Sequence, residues 1–157
     1  MKTRHHDDGT SIHDFANHFL VRCPRCDSCA DVKRIETDPE RHPWQARFCC
    51  PQCASVRTGT LRGWSDREPF DWVFGYSLWL QTPCCGHVLW AYNRDHVDFL
   101  ESYVKADHRI GLNDQQAAEL GIRNSTLAST LPAWMISAKN RASVLKSIRA
   151  LRELLLT

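Results

Sequence analysis

Alternating apolar and polar residues predict short strands in the first third of the chain. A short apolar run at 18–22 is followed by alternating segments at 30–36, 44–48 and 54–57, and every second side chain of a strand lies on the same face. A tight turn separates the first segment from the second, and another separates the third from the fourth. The pattern therefore predicts a small antiparallel sheet with two hairpin turns.

A second group of apolar segments predicts a hairpin followed by helices. Residues 78–81 and 87–92 fit two strands joined by a short turn, and apolar residues then recur with helical spacing at 95–107 and 140–155. An asparagine at or before the start of each helix is a typical N-cap. His96 is expected at the surface or in the cap of the first helix. These elements predict an α+β fold with a helical C-terminal part.

Four aromatic residues between these regions alternate with other residues: Phe70, Trp72, Phe74 and Tyr76. In a strand, this spacing would place all four rings on one face. A buried face is typical of aromatic residues in small domains, whereas an exposed face could stack nucleic-acid bases. We expect the buried arrangement.

Residues 113–131 predict two helices on either side of Gly121. The spacing fits a helix-turn-helix that binds DNA. However, Arg123 is the only basic residue of this segment, and Pro132 would end the second helix early. An ordinary helical hairpin fits the same residues and is the interpretation that we favour.

The strongest chemical signal is a Cys-Pro-x-Cys motif that occurs in both hairpin turns. It supplies Cys23 and Cys26 in the first turn, and Cys50 and Cys53 in the second. Two such turns can present four thiolates with tetrahedral geometry, which suits Zn²⁺. The proline restricts φ, so less entropy is lost on binding. We predict one structural zinc ion held by these four residues; the alternative is a disulfide pair or a set of free buried thiols.

The remaining cysteines suggest where a second ion would bind. Cys29 and Cys49 flank the two turns, while Cys85 and His87 lie with Cys84 in the later hairpin turn. A second Zn²⁺ site built from Cys29, Cys49, Cys85 and His87 requires that four separated donors converge in space. Buried cysteines without a metal are the interpretation that we favour. A zinc with an open position at Cys85 and His87 would instead indicate an enzyme.

Composition limits the classes of protein that fit. No apolar run is long enough to span a bilayer, so we expect no membrane partner. No export signal is apparent, and the eight cysteines are therefore expected in a reducing, cytoplasmic compartment where thiolates can bind metal. The net charge of +2 is too small to indicate nucleic-acid binding by itself.

Basic residues are concentrated near and on the last predicted helix. Lys139, Arg141, Lys146 and Arg149 give this region a local positive charge. Such residues commonly form a solvated face, and those near the helix end complement its dipole. The alternative is a face that contacts the phosphates of DNA or RNA.

The two Cys-Pro-x-Cys turns resemble the zinc ribbon of the transcription-factor-IIB type. Residues 78–87, 89–93 and 131–141 are similar to segments of uncharacterised bacterial proteins that carry such a ribbon. These resemblances imply a ribbon fold, a bacterial source, and contacts with nucleic acid or another protein. They imply no catalytic activity.

The expected organisation is a flexible N-terminus at 1–16, a zinc ribbon at 17–60, and a small sheet with C-terminal helices at 61–157. We expect the last part to pack with the ribbon as one unit. The predicted function is a zinc-stabilised, non-enzymatic binding module that contacts nucleic acid or a nucleic-acid-associated complex. A protein–protein interaction adaptor is the alternative, and a zinc-dependent enzyme is a third hypothesis.

Overall fold

The computed structural model describes residues 4–6, 9–35, 44–61, 68–106, 108–110 and 131–157. The fold is α+β, as predicted. Its elements are β1 (Arg4–His6), α1 (Ile12–Phe15), β2 (His18–Arg22), β3 (Cys29–Ile35), β4 (Gln45–Cys49), β5 (Val56–Thr60), β6 (Leu80–Cys84), β7 (His87–Ala91), α2 (Arg94–Lys105), β8 (His108–Ile110), α3 (Ala133–Ile136), a 3₁₀ turn (Ala138–Asn140) and α4 (Arg141–Leu154). The predicted helix pair at 113–131 lies almost wholly outside the described residues.

Strands β2, β3, β4 and β5 form an antiparallel sheet in that order, which confirms the predicted sheet. Strand β2 has the predicted bounds, whereas β5 begins two residues later than predicted and continues to Thr60. The inner face carries alternate apolar residues such as Phe19, Val32 and Phe48, all at most 1% exposed. The sheet therefore packs one face against the rest of the protein and leaves the other face to solvent.

The prediction of a flexible start is wrong for residues 9–16. Ser11 caps α1 by accepting a hydrogen bond from the N–H of His13, and the Asp14 carboxylate accepts one from the N–H of Ser11. Ile12 and Ala16 are buried in the same core as the sheet. These two apolar residues lie four positions apart, so a single helical turn is enough to bury both.

The predicted aromatic strand at 70–76 is instead a turn built around Asp71. The buried carboxylate of Asp71 accepts hydrogen bonds of 2.6–2.9 Å from the backbone N–H groups of Val73, Phe74 and Tyr76. A strand directs its N–H groups sideways, so a single side chain could not accept all three bonds. The rings consequently have different environments, since Trp72 is buried in the core and Phe70 is 42% exposed.

The helical part is held together by a second apolar core. Helices α2 and α4 pack against each other and against the β6–β7 hairpin, and residues such as Leu100, Ile148 and Leu151 are at most 1% exposed. Asn93 caps α2, as predicted, by accepting a hydrogen bond from the N–H of His96. No helix in the described ranges combines the length and the apolar character that a membrane span needs.

Hydrogen bonds join the outer edge of β2 to the helical part. The N–H of Leu20 donates to the carbonyl of Tyr92 at 2.8 Å, and the carbonyl of Leu20 accepts from the N–H of Trp79 at 2.9 Å. The amide of Asn93 donates to the carbonyls of Phe15 and His18. The sheet and the helical part therefore share backbone polar groups as well as apolar contacts.

His96 is buried, so the expectation of a surface side chain is wrong, whereas its position in the first turn of α2 agrees with the capping alternative. Its ring stacks on Phe15 with centroids 4.9 Å apart, and its Nδ1 accepts a hydrogen bond from the N–H of Tyr92 at 3.0 Å. Burial lowers the pKa of His96 to about 3 because the charged form would lose its hydration. The imidazole is therefore neutral at physiological pH.

Candidate metal centre

The order of the strands places both Cys-Pro-x-Cys turns at the same end of the sheet. The first turn connects β2 to β3 and the second connects β4 to β5. Since neighbouring strands run in opposite directions, the first and third connections of such a sheet lie at one end. Strands β3 and β4 are hydrogen-bonded to each other, with Asp31 opposite Cys49, and this pairing brings the two turns together.

The two turns have the same backbone structure. In each, the N–H of the first cysteine donates to the carbonyl of the serine five residues later, at 2.8–2.9 Å. The carbonyl of that cysteine accepts from the N–H of the residue four positions later, at 2.9 Å. The residue after the second cysteine has a positive φ in both turns, 62° at Asp27 and 61° at Ala54. One end of the sheet thus presents two equivalent pairs of sulfur atoms.

Cys23, Cys26, Cys50 and Cys53 form a group that could hold a metal ion, with all four sulfur atoms within 4.8 Å of one another. Two sulfur–sulfur distances between the turns are 3.7 Å, from Cys23 to Cys53, and 3.5 Å, from Cys26 to Cys50. Four sulfurs about 2.3 Å from a central Zn²⁺ would lie about 3.8 Å apart. The spacing therefore fits a tetrahedral ion of that size.

The four thiols have different proton affinities because their surroundings differ. Burial raises the pKa of Cys50 to about 11. A hydrogen bond from Ser55 lowers the pKa of Cys53 to about 6, and the equivalent bond from Ser28 lowers that of Cys26. The serine that ends each turn thus stabilises one thiolate. A cation would have to displace the proton from the buried thiol.

The donors predicted for a second ion do not form a second group of this kind. Over the ranges that the structure describes, the four-cysteine group is the only set of three or more ligand side chains this close together. Cys29 and Cys49 lie on the outer face of the first sheet, whereas the ring of His87 stacks on Trp134 of α3 at 4.7 Å. Cys85 and His87 do not join Cys29 and Cys49 because they belong to the β6–β7 hairpin, which packs on α4.

The basic residues predicted to bind nucleic acid occupy two kinds of position. Lys139, Lys146 and Arg149 are exposed. Arg141 is partly buried at the start of α4, and its guanidinium donates to the carbonyl of Ala106. Of these four residues, only Lys139, Lys146 and Arg149 therefore present an exposed cation to solvent.

We call the sheet β2–β5 with its two turns the ribbon. Cations that the sequence did not indicate lie together on the ribbon. Lys33 and Arg47 lie directly opposite each other on adjacent strands, and both are exposed on the outer face. Like charges at such positions repel each other and destabilise the sheet. The signal was the polar position of each alternation, but only the strand register shows that the two cations are neighbours.

Comparisons with protein-family models, with curated proteins and with solved structures find no match.

Proposed function

We propose that the protein is a zinc-stabilised, non-enzymatic binding module that contacts nucleic acid. The observation that carries this proposal is the four-cysteine group at the end of the sheet. Four thiolates favour Zn²⁺ among the common divalent ions because thiolate is a soft ligand and Zn²⁺ accepts tetrahedral geometry. The resemblance of the two Cys-Pro-x-Cys turns to a zinc ribbon also favours Zn²⁺.

A structural role follows from the number of protein ligands. A catalytic zinc keeps one position open for water or substrate, whereas four cysteine sulfurs complete a tetrahedral shell. Cys23 and Cys50 are also fully buried, so two of the four ligands are shielded from solvent. This arrangement supports a zinc that holds the two turns together rather than one that activates water.

The charge of the ribbon supports an anionic partner. Over the described residues 17–35 and 44–61, six basic side chains are exposed and the only carboxylates are Asp27 and Asp31. Asp31 is already engaged by His18, with 2.6 Å between its Oδ1 and the Nε2 of the histidine. The unfavourable proximity of Lys33 and Arg47 would be relieved by a phosphate that lies between them. We therefore place the nucleic-acid contact on the outer face of the sheet.

A protein partner has less support. The aromatic residues that could form an apolar docking surface are buried or partly buried, with Trp72 at 7% exposure and Phe74 and Trp134 in the intermediate range. Isolated exposed apolar residues such as Phe70 are normal on a protein surface.

The test is a titration of fluorescent DNA and RNA oligonucleotides, single-stranded and duplex, with the zinc-loaded full chain at low salt. Fluorescence anisotropy should report binding that weakens as salt rises. A Lys33→Ala/Arg47→Ala variant should bind at least about tenfold more weakly, and for duplex DNA its salt slope should fall by about 0.9 for each lost phosphate contact.

The matched control removes two exposed cations from the other basic region, as Lys139→Ala/Lys146→Ala. If the sheet is the contact surface, this variant should bind like the original protein. A larger loss in the control than in the sheet variant would move the surface to the last helix. Absence of binding by every oligonucleotide at low salt would refute a nucleic-acid function.

A further inference from the structure

The hairpin turn between β6 and β7 contains two adjacent cysteines in a constrained backbone. Cys84 pairs with His87 across the hairpin, so Cys85 and Gly86 are the two turn residues. Both have positive φ, 53° at Cys85 and 79° at Gly86. This combination is typical of a type I′ turn, in which asparagine or glycine usually occupies the first position. A cysteine there is held in a conformation that residues with a side chain rarely adopt.

The turn holds the two sulfurs on the same side of the chain. The Sγ atoms of Cys84 and Cys85 are 3.6 Å apart. An ion bound about 2.3 Å from each sulfur, the usual Zn–S length, would have an S–ion–S angle of about 103°. This angle suits tetrahedral or pyramidal coordination, and it is far from the straight line that a two-coordinate ion prefers.

A disulfide is the less favourable use of this pair. Adjacent Cα atoms across a trans peptide are about 3.8 Å apart, whereas disulfides usually join Cα atoms at least about 4.4 Å apart. Closing the bond would therefore strain the turn. An ion bridging the two sulfurs needs no such movement, because the present separation already fits.

The two cysteines lie in a cleft that is open to solvent and lined by charged side chains. Cys84 is buried, with its sulfur 3.9 Å from the carbonyl oxygen of Ser143 on α4, and Cys85 is exposed. The pair lines an open cleft of about 570 Å³ together with Lys146 and Arg149, and with Glu153 as its acidic member. The two cations outnumber the one carboxylate that lines this cleft, so the lining favours a negatively charged dithiolate over a positively charged group.

We propose that Cys84 and Cys85 form a dithiol site for a thiophilic ion of pyramidal or tetrahedral geometry, such as trivalent arsenic. The site is separate from the four-cysteine group, and it uses only one member of the set predicted for a second zinc. Soft thiolate ligands select soft ions, and two protein sulfurs leave the remaining positions of the ion open to the cleft. The proposal does not depend on nucleic-acid binding.

Phenylarsine oxide is the probe for this site. Its reaction with the pair forms two As–S bonds and breaks the two S–H bonds and the As–O bonding. The two protons leave with the oxygen as one water molecule, and arsenic stays trivalent, so no oxidant or reductant is needed. A single thiol cannot form this ring, which makes the reagent selective for paired cysteines.

The experiment adds phenylarsine oxide to the zinc-loaded full chain and counts bound phenylarsenic groups and zinc ions by native mass spectrometry. The expected result is one phenylarsenic group per chain with the zinc retained. Cys85→Gly should abolish this adduct. Because glycine adopts the left-handed conformation without strain, the variant removes the thiol while the turn keeps its structure, which circular dichroism and thermal melting can verify.

Cys84→Ser should also abolish the adduct, while Cys49→Ser, which removes an exposed cysteine of the first sheet, should leave it unchanged. An undiminished adduct in Cys85→Gly would overturn the proposal. So would an adduct that appears only as zinc is lost, because the reagent would then occupy the four-cysteine group. Absence of any adduct on the zinc-loaded protein would likewise refute it.

Discussion

The ribbon and the helical part are stabilised in different ways. In the ribbon, two short turns with the same hydrogen bonds bring four sulfurs together at one end of a sheet. In the helical part, apolar stripes of α2 and α4 close over the β6–β7 hairpin, and its described residues contain no such group. The structure of each cysteine turn depends on a few adjacent residues, whereas the core of the helical part depends on residues that are distant in sequence.

The ribbon is nevertheless less dependent on its turns than a free-standing ribbon would be. Its inner face is covered by Trp72, Leu78 and Tyr92, which all follow the ribbon in the chain. The indole N–H of Trp72 donates to the hydroxyl of Tyr92 at 3.0 Å. A metal ion bound by the four cysteines would therefore fix the end of the sheet, while the apolar core holds its face.

Removal of the zinc that we propose at the four cysteines should produce the largest effect and should act mainly on the ribbon. Because a structural zinc contributes directly to folding energy, chelation or Cys23→Ser should lower the free energy of unfolding by on the order of 4 kcal/mol or more. Hydrogen exchange should show loss of protection at the amides of β2–β5 and smaller changes in α2 and α4. Cys29→Ser is the control and should retain the zinc. Equal loss of protection in both parts would contradict this difference between them.

Truncation of the second core should have the next largest effect. Ile148 on α4 is fully buried, and Ile148→Ala should cost about 2–5 kcal/mol because it removes apolar contacts and leaves a cavity. Chemical denaturation of the zinc-loaded protein measures this loss. The zinc content should not change, and a variant that folds but releases its zinc would show that the two parts are more tightly coupled than their separate cores suggest.

Acidification should lower the free energy of unfolding through His96, which lies where the two parts meet. Its pKa falls to about 3 on folding from an ordinary value near 6.5, so the folded protein disfavours the charged form. Its contribution to stability is therefore complete above about pH 6.5 and decreases as the pH falls, by up to about 1.4 kcal/mol per pH unit.

His96→Asn removes this titration, so the free energy of unfolding should vary less between pH 6.5 and 5 than in the original protein. The comparison of the two proteins at each pH cancels effects of acid on the four-cysteine group. Identical pH dependence in both proteins would argue against a buried neutral imidazole.

The smallest effect is expected at the surface ion pairs between α2 and α4. Arg152 contacts Asp98 at 2.6 Å and Glu101 at 2.7 Å, and its side chain is one third exposed. Arg152→Ala should cost only about 0.2–1 kcal/mol, because exposed pairs gain little over hydration. Added salt should reduce this difference further. A cost as large as that of Ile148→Ala would mean that α4 is held by charge rather than by its apolar stripe.

The sequence allowed prediction of the features that depend on neighbouring residues. The motif around Cys23 and Cys50 indicated the four-cysteine group, the apolar run at 18–22 indicated the bounds of β2, and Asn93 was correctly predicted to cap α2. Each depends on the spacing of residues within one turn or one strand.

Features that depend on contacts between distant segments were not predictable. The burial of His96 requires α1, whose Phe15 stacks on it, and α1 is only one helical turn in a polar stretch. The turn at Asp71 is a local feature that was also missed: the aromatic spacing indicated a strand, whereas the Asp71 carboxylate accepts three backbone bonds from the next five residues. Lys33 and Arg47 lie opposite each other because of the register between β3 and β4, which the sequence does not show.

The burial of the four sulfurs differs in a regular way. In each turn the first cysteine, Cys23 or Cys50, is fully covered, and the second, Cys26 or Cys53, is partly exposed. An ion at this centre would thus have one side toward the apolar core and one side toward water. An oxidant or a competing chelator would meet Cys26 and Cys53 first, so damage or exchange of the metal should begin at the outer sulfur of each turn and reach the inner sulfur last.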